Sequence, residues 1–213
     1  MTPERIGKII RRIVYLFRKH PAHRALIALY LSIRWQCLVS PRARVYFPGN
    51  LRIGRGARIG EARIWAHGPI SIGARVSLGD GAILDSQYPA GSIVIGESTA
   101  IGPYSIVYGF GGVRIGRQCL IAGHVMIVGS SHVFERRDIP ICQQGSTGQG
   151  IIIGDDVWIG AQCVLIDGSS VGTGAIIGAG SVVRSKINDY DVAAGAPAQT
   201  LHSRPGVMPS RTR

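Results

Sequence analysis

The chain has 213 residues, 46% of them hydrophobic and only 17% charged, which excludes disorder over most of its length and allows one domain with a substantial core. Its formal charge of +12 is lopsided: residues 1–44 hold ten Arg and Lys against Glu4 alone, whereas residues 45–213 hold fourteen bases against eleven acids. Thirty glycines without the one-in-three period of collagen exclude a triple helix and call for many tight backbone positions.

The first stretch, "MTPERIGKIIRRIVYLFRKH", places Ile6, Ile9, Ile10, Ile13, Val14, Leu16 and Phe17 at helical spacings with Lys and Arg interleaved, and Pro21 ends it. The second, "RALIALYLSIRWQCLV", reads as a more apolar helix. Residues 1–44 are thus expected to form a basic helical segment, with two accounts of its use. It caps the open end of the downstream domain, or it lies on an anionic membrane. A mixture is favoured, the second helix capping and the first touching lipid. A solvated helix face is the plain alternative. The run "ALIALYLSI" is well short of the roughly 20 apolar residues of a spanning helix, and no secretory signal is evident. Nucleic acid is not expected as a partner, because aromatics are not interleaved with the bases.

From Ile53 an aliphatic residue, usually followed by Gly, recurs every six residues. The anchors are Ile53 and Ile59; Ile72, Leu78 and Leu84; Ile95, Ile101 and Val107; Ile115, Ile121 and Ile127; then, after a gap, Ile153, Ile159, Leu165, Val171, Ile177 and Val183. Six suits neither helix nor coiled coil; it suits very short strands separated by turns and stacked as a solenoid. Four residues after each anchor stands a second, smaller residue: Ala57, Val76, Ala82, Thr99, Ser105, Cys119, Val125, Ser131, Val157, Cys163, Ser169, Ala175 and Ser181. It lies two before the next anchor, so strand alternation points both inward. Arg63 and Tyr88 break this column and predict loops pushed out between coils, and the anchor glycines are expected to serve turn dihedrals. Three hexads make a triangular coil, giving about five to six coils by this count. Parallel crossovers ordinarily wind right-handed, but periodicity leaves the hand open. Cys119 and Cys163 are interior fillers, and with Cys37 and Cys142 in no metal-binding spacing, free thiols in a reducing compartment are expected.

The beat stops after "MIVGSSH", misses about twenty residues and resumes at "GIIIG". The last residue before the gap is His132. The segment "IIIGDDVWIGAQCVLIDGSSVGTGAIIGAGSVVRSKINDYDVAAGAPAQTL" (151–201) resembles the C-terminal half of hexapeptide-repeat acyltransferases, the sugar O-acetyltransferases above all, through "GDDVWIGA", "IGAGSVV" and "AAGAPA" in that order. That resemblance implies an all-β fold, a left-handed parallel β-helix, here over 45–190 with an extended loop 133–150, to which the basic helical segment 1–44 and a C-terminal tail 191–213 are added. It also implies a homotrimer with acetyl-CoA in the groove between subunits, and a catalytic His ending a coil just before a loop, the position His132 holds.

The chemistry agrees. A sugar hydroxyl becomes a nucleophile when a base takes its proton, and imidazole suits that task near neutral pH. The hydroxyl then attacks the thioester directly, and backbone amides, near the loop or the Gly160–Ala161 turn, receive the oxyanion. Glu135 is the candidate to orient His132, with a backbone carbonyl as the other choice. Gln143 and Gln144 are candidates for the acceptor pocket. The resemblance places the pantetheine arm along Gly160, Ala161 and Ala179, with Trp158 flanking the reactive end or packing between subunits, and Arg184 and Lys186 offered to the phosphates. His124, eight residues from His132, reads as a structural or groove-lining corner residue. The pair is too widely spaced for the zinc site of related carbonic anhydrases, so no metal is expected. The sequence thus predicts an acetyl-CoA-dependent O-acetyltransferase of a surface polysaccharide or lipid-linked glycan, cytoplasmic and peripheral at the inner face of the membrane. N-acetylation of an amino-sugar nucleotide and a non-catalytic membrane-associated scaffold are the alternatives.

Overall fold

The computed structural model describes residues 21–88 and 90–206. The basic stretch expected to be the first helix lies outside the described residues. Helix α1 spans Pro21–Trp35. The coils follow in chain order: β1 (Leu38–Val39), β2 (Arg44–Tyr46) and β3 (Leu51–Ile53); β4 (Arg58–Ile59), β5 (Arg63–Trp65) and β6 (Ile70–Ile72); β7 (Ser77–Leu78), β8 (Ile83–Asp85) and β9 (Ile93–Ile95); β10 (Ala100–Ile101), β11 (Ile106–Tyr108) and β12 (Val113–Ile115). The fifth coil holds β13 (Leu120–Ile121) and β14 (Met126–Val128), makes an excursion through β15 (Ser131–His132) and β16 (Ser146–Thr147), and closes with β17 (Ile151–Ile153). Then come β18 (Trp158–Ile159), β19 (Val164–Ile166) and β20 (Ser170–Val171); β21 (Ile176–Ile177), β22 (Val182–Val183) and β23 (Lys186–Ile187); and a final hairpin, β24 (Asp191–Gly195) and β25 (Ala198–Ser203).

Every third strand pairs in parallel, so the chain builds three sheets: β1-β4-β7-β10-β13-β18-β21-β24-β25, β2-β5-β8-β11-β14-β19-β22, and β3-β6-β9-β12-β17-β20-β23. The molecule is a parallel β-solenoid of seven complete coils and the start of an eighth. That exceeds the five to six expected, because the first coil begins at Leu38, inside the segment expected to be helical. Its interior pairs, Cys37 with Val39 and Ala43 with Val45, keep the small-then-aliphatic order but precede the regular Ile-Gly beat. At the other end, the expected tail is in part the β24–β25 hairpin, whose buried Asp191 accepts from Thr200 Oγ1 at 3.0 Å and Ser203 Oγ at 3.3 Å. Helix and hairpin cover the two ends, where a bare solenoid would expose strand edges and core.

Both inward columns are buried as the alternation requires, Ser131 excepted, and their apolar members form one continuous core cluster. The small column has a second job. Thr99 Oγ1 donates to Gly116 O at 2.8 Å and Ser105 Oγ to Ala122 O at 2.9 Å; Cys119 Sγ donates to Gly154 O and Cys163 Sγ to Gly178 O, each at 3.1 Å. Each carbonyl sits at a corner of the next coil, so a short side chain with a donor both fits the corner and satisfies a buried acceptor. Thr99 Oγ1 also accepts from Cys119 N at 3.1 Å. Thr99→Val keeps the shape and removes both bonds; it should cost about 1–3 kcal/mol in a denaturant titration.

Three expectations change. The glycines after the anchors do not serve positive φ; that conformation falls three residues after most anchors, at Arg75, Ser98, Tyr104, Gln118, His124, Asp156 and Gln162 among others. The anchor glycines instead let coils approach: a Cβ on Gly54 would lie 2.5 Å from the Gly73 carbonyl carbon, one on Gly96 2.5 Å from that of Gly116, and one on Gly160 2.5 Å from Ala179 N. Arg63 marks no loop. The corner there is one residue short, Ala62 N donating to Gly60 O at 2.7 Å, so Ala62 and Ile64 are the inward pair and Arg63 faces out. Tyr88 does stand in a longer connection, between β8 and β9. Ser131 is not interior; it is exposed on β15, because the chain has already left the coil.

Candidate active site

The excursion leaves after Val128 and returns at Gly150, on the edge between the second and third sheets. Its neck is the antiparallel pair β15–β16, with Ser131 opposite Thr147 and His132 opposite Ser146. Asp167, one coil on, receives Gln149 N at 2.9 Å and Gly150 N at 2.8 Å and pins the returning strand. Gly150, at φ +83°, is wedged against the Gly111 and Gly112 backbone, where no Cβ fits. Sequence reasoning passed over Asp167; the signal is a carboxylate directly after the strand residue Ile166, as Asp85 stands at the end of β8 and receives Gln87 N at 2.7 Å.

His132 is therefore held on backbone pairing rather than on a free loop. Its Nδ1 lies 3.3 Å from Ser146 Oγ. Glu135 points elsewhere: its Oε2 accepts from Phe134 N at 3.1 Å. Gln144 is spent on the loop itself, Nε2 donating to Arg136 O at 2.7 Å and to Ile139 O at 3.1 Å while Oε1 accepts from Arg136 N at 3.0 Å. Arg136 pairs with Asp138, whose carboxyl is held below the usual range by that guanidinium. Gln143 is exposed on the turn beside it. His124 is engaged otherwise, stacked on Tyr104 with centroids 5.3 Å apart; of the remaining histidines, His67 packs on Phe47 at 4.8 Å and His202 Nδ1 lies 3.0 Å from Ser203 O.

The residues expected along the cofactor are on a different edge. Gly160, Ala161 and Ala179 lie between the first and second sheets, stacked one coil apart, with Gly160 N donating to Ile177 O and Gly180 N to Ala161 O, each at 2.8 Å. Ala161 and Ala179 are exposed and carry only methyl groups, so this edge is smooth enough for a thin, extended chain to lie along it. Trp158 is 51% exposed on the outer face of the first sheet, in register with Leu120, itself 59% exposed. Arg184 and Lys186 return to the edge of the His132 loop, two coils further on. One chain thus does not bring His132 together with Ala161 and Ala179. Among the described residues no group of His, Cys, Asp or Glu is arranged to hold a metal ion.

The four thiols are free. Burial pushes Cys37, Cys119 and Cys163 above the ordinary thiol range, whereas Cys142 is exposed in the loop. A thiol reagent at neutral pH should therefore label Cys142 first in the native protein and the other three on denaturation, read by peptide mass.

The stacked-coil solenoid has counterparts among acyl-transferring proteins. Residues 150–185 match the family model described as bacterial transferase hexapeptide (six repeats). WbbJ of Escherichia coli K12, named for lipopolysaccharide-biosynthesis O-acetyl transfer, is 31% identical over 141 residues, 63% of this chain and 71% of that protein. The chain belongs to the hexapeptide-repeat transferase family. Rv3034c of Mycobacterium tuberculosis H37Rv, named as an acetyltransferase, is 29% identical over 185 residues; the match takes in 86% of this chain and 60% of the mycobacterial protein's length. A point mutant of AntD, an N-acyltransferase of Bacillus cereus solved with dTDP and coenzyme A, superposes with a TM-score of 0.60 at 25% identity, covering 68% of this chain and 78% of that one.

Proposed function

We propose that this protein is an acetyl-CoA-dependent O-acetyltransferase of a sugar hydroxyl on a surface polysaccharide or lipid-linked glycan, with His132 as general base. The observation that carries the reading is the paired neck of the loop, which holds His132 where the long excursion leaves the fifth coil. With Nδ1–H donating to Ser146 Oγ, Nε2 keeps the lone pair and takes the acceptor's proton as the hydroxyl attacks the thioester carbonyl. The proton then passes to the leaving thiolate, so His132 is regenerated in each turnover. Ser146, rather than Glu135, is the side chain in position to orient the ring. The likeness to WbbJ supports a sugar hydroxyl as acceptor.

Because His132 and the Ala161–Ala179 edge are apart in one chain, the site is completed between copies. We read the assembly as a homotrimer of left-handed solenoids, His132 of one subunit facing the Trp158, Gly160, Ala161 and Ala179 edge of its neighbour, with Arg184 and Lys186 serving the phosphates of CoA and Gln143 lining the acceptor side. The likeness to AntD favours a second reading, transfer to a sugar amine, which the same base would serve. Titration calorimetry with acetyl-CoA and with CoA, followed by a screen of hydroxyl and amino sugars, tests both. Micromolar binding near one site per chain supports the transferase. A folded protein that binds neither returns the scaffold reading to first place.

A further inference from the structure

Helix α1 is apolar on two opposite faces. Ala28 and Leu31 are buried against the first coil, with Ile27 and Trp35 packed beside them. Leu26, Leu29, Tyr30 and Ile33 follow the i, i+3, i+4, i+7 pattern on the far side and are 61%, 57%, 56% and 70% exposed. A cap needs only its inner face to be apolar; an outward stripe of four large side chains leaves a patch that water disfavours.

The charge around that stripe is polarised along the solenoid. Residues 38–72, the first two coils, carry six arginines against Glu61 alone, a net of +5, whereas residues 73–187 carry seven bases against eight acids. All six arginines are exposed, with Arg58 on the first sheet, Arg44 and Arg63 on the second, Arg52 on the third, and Arg42 and Arg55 at corners. Glu61 is bound to Arg42 at 2.7 Å. Arg44 and Arg63 stand directly in register on neighbouring strands, and the shallow depression they line with Arg42 also holds Glu61 and Asp80, three bases against two acids. An outward apolar stripe ringed by guanidinium groups at one end of a rod is the complement of a bilayer surface, acyl region at the centre and anionic headgroups around it. No described helix is long and apolar enough to cross a membrane.

We infer that the protein docks end-on to an anionic lipid bilayer through the Leu26, Leu29, Tyr30 and Ile33 stripe of α1, with the arginines of the first two coils on the headgroups. In this arrangement α1 is both cap and lipid contact. Docking also sets a height. The His132 loop leaves the fifth coil, four coil rises of about 4.8 Å from the first, and α1 adds a thickness of about 10 Å. With the axis along the membrane normal, His132 stands on the order of 30 Å above the bilayer. Given the transferase reading, on which this last step rests, the acceptor is a sugar several units out from a lipid anchor, not the sugar nearest it.

The experiment is cosedimentation of the full chain with vesicles of phosphatidylglycerol and phosphatidylcholine, and with phosphatidylcholine alone, at moderate salt. The expected result is binding to the anionic vesicles, weakened about tenfold by Leu29→Asp with Ile33→Asp, and by Arg52→Gln with Arg55→Gln, at unchanged thermal midpoint and molecular mass. Should the aspartates impair folding, Ile33→Gln alone gives the same reading. Three outcomes overturn the inference: the unaltered chain ignores anionic vesicles; the stripe variants change the molecular mass, assigning the stripe to a second copy; or they lower the thermal midpoint and leave vesicle binding intact, assigning it to the chain's own packing. Acetyl-CoA binding on the same preparations keeps a failure of docking separate from a failure of the transferase reading.

Discussion

His132→Ala is expected to lower the turnover number for acetyl transfer by about a hundredfold to ten-thousandfold while leaving acetyl-CoA binding close to its original strength. The magnitude is that of removing a positioned general base. The separation of the two effects follows from geometry, because His132 lies on the loop neck and the Ala161–Ala179 edge lies elsewhere on the prism. Ser146→Ala should have a smaller effect in the same direction, since the β15–β16 pairing still places the ring and only the 3.3 Å contact on Nδ1 is lost. Glu135→Gln should change little, its carboxylate being engaged with Phe134 N. Steady-state rates and calorimetry on the three variants check this. Equal loss in Glu135→Gln and Ser146→Ala would reassign the orienting group.

The largest expected loss of stability is at a glycine. In Gly116→Ala the new Cβ would stand 2.5 Å from both the Gly154 carbonyl carbon and Asp155 Oδ1; the carboxylate can turn away, but the Gly154 backbone cannot. Overpacking in a core costs about 1–3 kcal/mol where side chains can shift, so Gly116→Ala should exceed about 3 kcal/mol and separate the fourth coil from the fifth. Two controls sort the causes. Gly180→Ala meets nothing within 4 Å but sits at φ +70°, and should cost about 1–2 kcal/mol from backbone strain alone. Gly49→Ala also meets nothing within 4 Å and has no such φ, and should be close to neutral. Thermal and denaturant midpoints of the three rank the two kinds of glycine directly.

That ranking bears on what could be read without coordinates. The solenoid was legible because its two inward columns obey period two within strands and period six between them, so Ile153 and Val157, or Ile159 and Cys163, announce one register. The reason for the glycine that follows most anchors was not legible. Sequence shows that a side chain is absent, not whether φ or a neighbour forbids it, and only the position of Ala74 or Glu97 across the coil boundary decides. The first coil was missed because Cys37–Val39 and Ala43–Val45 carry the inward pattern without the Ile-Gly beat. His132 was legible as a break in rhythm. Ser146 was not, because antiparallel pairing across a thirteen-residue gap leaves no periodic trace. The spent amide of Gln144 and the pinning role of Asp167 are of the same kind, contacts set by where a loop turns.

The long excursion in the fifth coil interrupts the chain but not the sheet: Val113 still pairs with Ile151 and Ile115 with Ile153, as if the intervening residues were absent. The rod therefore bears no mechanical relation to the length of what emerges at that point, and doubling the protruding segment adds only about 0.6 kcal/mol of closure entropy. Such a segment behaves as an exchangeable cassette. Its splice points lie inside the paired neck: with Ser131, His132, Ser146 and Thr147 kept as the pair, and Gly148 kept against Gly111 and Gly129, residues 133–145 can be exchanged without renegotiating the architecture that carries them.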